Sequence, residues 1–196
     1  MQRKKTDRRL AVLEAATVLF SEKSFHDVKL DEVAVAADVG KGTIYTYFRS
    51  KEELFVQCLV HDAPVYEDRV EKVIAADLSF EDGLKQLIAL QAEFAEKKGP
   101  LVKQFMALGP QLKLNDIQFK HLTGLFEKAV ARLARFFEGW RKKGILTTRF
   151  SCGQMALMFQ GLFDLNVAMS YFQEPALRPE DVLACIMKVL SREADR

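Results

Sequence analysis

Five hydrogen-bond donors stand close together at Lys41, Thr43, Tyr45, Thr46 and Tyr47, with no acidic residue between them. In a helix through this stretch Ile44 and Phe48 lie four apart and share one side, so the donors take the rest of the circumference. A lysine ammonium and the hydroxyls of Thr and Tyr suit phosphate oxygens, and a slender helix carrying them suits base edges in a major groove. The same pattern also fits a short amphipathic helix whose polar side is merely solvated.

Such a surface needs a second helix to hold it, and Asp31 to Phe48, DEVAVAADVGKGTIYTYF, reads as that pair. Val33, Ala34 and Ala37 give the preceding helix a small apolar face, and Val39-Gly40 interrupts the pattern before the donors begin. Charge points the same way. Residues 1–51 hold ten Lys or Arg against seven Asp or Glu, and residues 52–196 hold nineteen against twenty, so the basic excess sits wholly in the first quarter. Arg3, Lys4, Lys5, Arg8 and Arg9 supply most of it, which favours a polyanion partner beside the helix pair.

Other chemistries find little to work with. No Ser–His–Asp or Cys–His arrangement, glycine-rich phosphate loop or group of carboxylates on an apolar face is readable, so neither an enzyme nor a cofactor is expected. His26, His61 and His121 are scattered without i,i+4 partners, which predicts no metal site. Cys58, Cys152 and Cys185 are odd in number and lack CxxC spacing, as in a reduced cytoplasmic protein. Leu10–Phe20 contains Glu14 and Thr17, so the basic start leads into no signal-peptide core. Residues 151–173 are the most apolar stretch, but Gln154, Gln160, Asp164 and Asn166 interrupt it, which predicts a buried helix rather than a membrane span.

The elements around the donors read as helical throughout. Leu10, Leu13, Thr17 and Phe20 predict a first helix over Asp7–Glu22. Ser50 with Glu53 forms a capping box opening a fourth helix that runs to about Ala76, kinked or divided at Pro64. Ser79 and Asp82 open a fifth helix, which Gly99-Pro100 is expected to end; a shorter one follows, punctuated by Gly109-Pro110. A long helix from Asp116 to Lys143 carries Phe119, Leu122, Phe126, Val130, Leu133, Phe137 and Trp140 at steps of three or four. Ser151 and Gln154 cap the apolar helix to about Gln173, and Val182, Leu183, Ile186, Val189 and Leu190 stripe the last. No segment reads as a strand, and the fold class is all-α with about nine helices.

At Val33-Ala34, Ala37, Val39-Gly40-Lys41-Gly42-Thr43-Ile44-Tyr45-Thr46-Tyr47-Phe48 and Ser50-Lys51-Glu52-Glu53-Leu54, the chain resembles the TetR family of bacterial transcriptional regulators. The resemblance implies a three-helix DNA-binding domain over residues 1–50, with its helix-turn-helix at about 29–48, and a helical ligand-binding and dimerisation domain over 51–196. It implies phosphate contacts from Thr43, Tyr45 and Tyr47, with Lys41 at the recognition-helix N-terminus, where its charge and the free N–H groups both favour phosphate. Lys51 would clamp a further phosphate, Gly42 would allow close approach, and Thr46 would meet a base. The chain departs from the family pattern at three places. Gly40 replaces a capping Ser, Lys29 replaces a Thr but can pair with phosphate, and Asp38 replaces a turn glycine.

The resemblance further implies a homodimer on a double-stranded DNA operator, built from the last two helices through Leu162, Leu165, Met169, Val182, Ile186 and Val189. It also implies a ligand cavity. Phe105, Met106, Phe126, Met155, Phe159 and Phe163 would line it, with Gln160 and Asn166 as polar anchors. Fifteen phenylalanines and six methionines supply adaptable apolar lining, which leans towards a small hydrophobic or amphipathic effector. A repressor released by such a molecule is the reading that follows. A helical lipid carrier or adaptor would account for the apolar C-terminal part but not for the donor-rich helix.

Overall fold

A computed structural model describes residues 2–169, 175 and 177–191, without the side chains of residues 2–6, 110, 163, 164, 166–168, 190 and 191. Among the described residues all regular structure is helical. The elements are α1 Gln2–Glu22, α2 Leu30–Ala36, α3 Lys41–Tyr47, α4 Lys51–Val60, α5 Ala63–Ala75, α6 Phe80–Leu108, α7 Asp116–Lys142, α8 Cys152–Met169 and α9 Pro179–Ser191, with a 3-10 turn at Gly109–Gln111. The predicted continuation of α8 to Gln173 lies outside the described residues.

Several starts are fixed by side-chain caps, as the sequence predicts. Ser50 Oγ accepts the Glu53 N–H at 3.1 Å, and Glu53 Oε2 accepts the Arg49 N–H at 2.7 Å, one residue earlier than in the standard box. At α8 the exchange is complete: Ser151 Oγ accepts from Gln154 N at 3.1 Å and Gln154 Oε1 accepts from Ser151 N at 2.8 Å.

The long fourth helix divides at His61–Asp62, and Pro64 stands second in α5, where the N–H it lacks would have had no helical partner. The expected end at Gly99-Pro100 does not occur, and α6 runs through it. Pro100 removes one N–H and crowds the Glu96 carbonyl, but Lys98 and Leu101 beside it are both fully buried, and that burial holds the segment helical.

The chain forms two compact units, one of Met1–Asp62 with Lys98–Leu122 and one of Ala63–Lys97 with Thr123–Arg196. The first has Leu13, Phe20, Val33, Ile44, Phe48, Phe55 and Leu101 in its core. Phe20, Phe25 and Phe55 pack ring on ring there, with centroids 5.0–5.9 Å apart. The unit around the helix-turn-helix is therefore larger than the expected residues 1–50. α4 closes it through Leu54, Phe55 and Cys58, and the second half of α6 adds Leu101 and Leu108.

A buried lysine joins these two additions. Lys98 Nζ donates to the Cys58 carbonyl at 2.7 Å, near the C-terminus of α4 where a cation is favoured, and pairs with Asp62 Oδ2 at 3.1 Å. Burial pushes the neighbouring Cys58 thiol up to about 11.

The second unit has its own core of Leu84, Leu87, Phe136, Phe137, Met155 and Phe159. Gly83 of α6 sits directly under Phe136, whose Cε2 would lie 3.0 Å from any added Cβ. Arg132, buried on α7, ties that helix to α5 through Glu67 at 3.0 Å and Glu71 at 2.9 Å.

Candidate nucleic-acid interface

The turn between α2 and α3 is a Schellman motif. Asp38 N–H donates to Val35 O at 3.1 Å and Val39 N–H to Ala34 O at 3.0 Å, which closes α2 with two crossed bonds. Asp38 occupies the left-handed position of the motif at φ +52°, where glycine is the usual residue. The family's glycine at this place thus has a backbone reason, and Asp38 meets it as one of the few side chains that tolerate such a φ. Gly40 then turns extended, with φ −70° and ψ 146°, and caps α3 through its carbonyl alone.

α3 is anchored from below. Ile44 and Phe48 are each 1% exposed, and the Arg9 guanidinium lies 5.3 Å over the Phe48 ring while donating to Gln57 Oε1 at 2.9 Å. Tyr45 and Thr46 face solvent, and Thr43 and Tyr47 are half-buried, so their polar ends sit on a helix that cannot rotate without unpacking its core edge. Thr46 Oγ1 donates back to the Gly42 carbonyl at 3.0 Å. Its hydroxyl hydrogen is thereby committed, and a methyl group and oxygen lone pairs remain to be offered to a base. A Cβ added at Gly40 or Gly42 would meet no atom within 4 Å, and neither has positive φ, so nothing among the described residues requires glycine at either place.

Two of the expected phosphate ligands are already engaged. Lys41 Nζ pairs with Asp31 of α2 at 2.8 Å, and this hydrogen-bonded carboxylate raises its pKa. Lys51 Nζ donates to the carbonyls of Val28 at 2.7 Å and His26 at 3.1 Å and lies 4.7 Å over the Phe25 ring. Burial lowers its pKa. Lys51 is thus first a staple between α4 and the segment before α2, with one N–H left for a phosphate. Lys29 stands exposed at the start of α2 and makes no side-chain cap there. The side chains of Arg3, Lys4 and Lys5 lie outside the described ones.

The second unit holds an apolar groove of about 250 Å³ between α8 and α9, lined by Phe137, Met155, Met158, Phe159, Leu162 and Ile186, with Cys185 and Val189 at α9. Of the residues expected to line a ligand cavity, Met155 and Phe159 line this groove. Phe105 and Met106 do not, because α6 enters the first unit after Lys97; there Phe105 packs on that core and Met106 is exposed. Phe126 is exposed as well. Gln160 accepts from Gln91 Nε2 at 3.5 Å, and the nearly buried Gln91 is a polar residue that the sequence hides within an apolar stripe. The side chains of Phe163 and Asn166 lie outside the described ones.

The six residues expected at a dimer surface are divided. Val182 and Ile186 are buried in the chain's own core, and Leu162 and Val189 line the groove. Leu165 is exposed beside Leu157 and Met158, and Met169 is half-buried. Among the described residues no helix is long and apolar enough to cross a membrane, and no group of His, Cys, Asp and Glu is placed to hold a metal ion.

Residues 12–58 match the family model described as bacterial regulatory proteins, tetR family. The Bacillus subtilis "Uncharacterized HTH-type transcriptional regulator YhgD" is 32% identical over 99 residues, which span 50% of this chain and 52%, about half, of that protein. The reduced form of Escherichia coli NemR has a similar fold, with TM-score 0.77 and 21% identity over 95% of this chain and 100% of that one. So does the fatty acid degradation regulator FadR from Bacillus halodurans, with TM-score 0.70 and 18% identity over 96% and 97%.

Proposed function

We propose that the chain is a transcriptional regulator of the TetR family, a cytoplasmic homodimeric repressor released from its operator by a hydrophobic or amphipathic small molecule. The observation that carries the DNA-binding part is α3 itself, an acid-free run of donors locked to its core by Ile44 and Phe48. Thr43, Tyr45 and Tyr47 would donate to backbone phosphates, and Lys41 would reach a phosphate at the free N–H groups opening α3. Lys29 and the remaining donor of Lys51 would add outer contacts, and Thr46 would face a base. Gly40 and Gly42, which nothing among the described residues requires, would leave room for the DNA backbone.

Two recognition helices of a dimer would meet half-sites about 34 Å apart. The exposed apolar side chains Leu157, Met158 and Leu165 of α8 support a bundle of α8 and α9 with their mates. For the effector, the apolar second unit and the fatty acid named for the FadR neighbour both favour an acyl-chain compound. α6 contributes residues to both units and is the element through which binding would be felt at α4. A coupling of about 1–3 kcal/mol would weaken operator binding several-fold to about a hundredfold. The test is selection of duplexes from a random pool, followed by release with fatty acids and acyl thioesters. Palindromic half-sites and ligand-dependent release are expected; the absence of salt-sensitive duplex binding would overturn the reading.

A further inference from the structure

The contact that distinguishes this helix-turn-helix internally is the carboxylate placed on its own phosphate ligand. Lys41 Nζ lies 2.8 Å from Asp31 Oδ1 and 3.0 Å from Oδ2, so the carboxylate takes the ammonium with both oxygens, much as a phosphate would. Lys41 is the first residue of α3 and Asp31 the second of α2, so the pair spans the turn on its exposed side. We propose that Asp31 is an internal stand-in for operator phosphate, which must surrender Lys41 before the operator can bind and which thereby sets the affinity and salt dependence of this regulator. The proposal rests on the reading of Lys41 as a phosphate ligand.

Asp31 also has a plain structural use. α2 lacks a side-chain cap at Lys29, and acidic residues in its first turn are favoured by the helix dipole. Glu32 has that same use, carries the same charge one residue on, and pairs instead with Lys23, just past the end of α1, at 3.1 Å. The two carboxylates thus form a matched pair in which only Asp31 holds a residue of α3. A general reduction of negative charge near DNA would make Asp31→Asn and Glu32→Gln equivalent. A latch on Lys41 makes them different.

In binding to DNA, Lys41 exchanges one anion for another and Asp31 is left near the phosphates, so wild type gains less than a free lysine would. Phosphate contact is independent of sequence, so random-sequence duplex DNA is a sufficient probe, titrated by fluorescence anisotropy across a salt series with the full-length chain. Asp31→Asn is expected to tighten binding about three- to tenfold at low salt and to steepen the log–log salt slope by up to about one per protomer. Glu32→Gln should change both far less, and Asp31→Asn should confer no gain when Lys41 is alanine. Melting temperatures of all variants separate loss of α2 support from binding.

Equal effects of Asp31→Asn and Glu32→Gln, or a gain that survives in the Lys41→Ala background, would overturn the latch. If instead Lys41→Ala binds duplex as wild type does, the assignment of Lys41 to phosphate itself falls. If Lys41→Ala weakens binding while Asp31→Asn changes nothing, the latch alone falls.

Discussion

Asp38 allows the turn geometry and the charge of the interface to be tested separately at one exposed position. A left-handed conformation costs an L-residue roughly 1–2 kcal/mol, less for Asp and Asn, whose short polar side chains bond locally. Asp38 holds φ +52° at the left-handed place of the Schellman turn, and it is exposed. Asp38→Gly should therefore stabilise the fold by about 0.5–1 kcal/mol, and Asp38→Ala should destabilise it by a similar amount. Asp38→Asn should be nearly neutral. In a chain of this size 1 kcal/mol moves Tm by about 2–4 °C, which circular dichroism resolves. The charge effect follows a different order. Gly and Asn both remove a carboxylate from the turn that leads into α3, so both should tighten duplex binding at low salt, although only Gly raises Tm. An alanine variant as stable as wild type, or a less stable glycine variant, would refute the account of this turn.

Three further outcomes are expected. Gly42→Ala should raise stability by about 0.5 kcal/mol, since its Cβ meets open space, yet weaken duplex binding at least several-fold; equal binding would remove Gly42 from the interface. Lys98→Met should lower stability by about 2–4 kcal/mol in urea titrations by removing the buried cation that the Cys58 carbonyl and Asp62 share, with partial recovery on adding Asp62→Asn. Cys58 is raised in the folded state from its ordinary 9.0 to about 11, so between those values the unfolded chain loses the proton first. Stability should fall with rising pH across that window by up to about 2–3 kcal/mol, and Cys58→Ala should flatten the slope.

What was legible in the sequence was local. The break at Val39-Gly40, the caps at Ser50 and Ser151 and the apolar pair Ile44 and Phe48 all act within a few residues, and each stands where its chemistry predicts. What was hidden is long-range. The sequence around Pro100 reads as a helix end because Gly-Pro disfavours continuation, but Lys98 and Leu101 are buried by residues tens of positions away. The same passage of α6 from one unit to the other puts Phe105 and Met106 in the first unit rather than among the residues lining the groove of the second. Lys41 and Lys51 read as free cations because nothing in spacing shows that Asp31 and the carbonyls of His26 and Val28 fold back onto them. Asp38 is an intermediate case. Its place in a turn was legible, and its left-handed φ was signalled by the glycine that the family pattern carries there.

The central claim is that the donor face of α3 binds DNA, and the most direct measurement is the affinity of Thr43→Ala and Tyr47→Phe for a selected duplex across a salt series. Both variants should melt with wild type within a few degrees, since each removes one hydroxyl from a half-buried side chain and leaves Ile44 and Phe48 in the core. Both should bind several-fold to tenfold more weakly, with a shallower salt dependence of binding than wild type only where a charge has also been displaced. Wild-type affinity in both, at unchanged stability, would contradict the account and return α3 to an ordinary solvated helix.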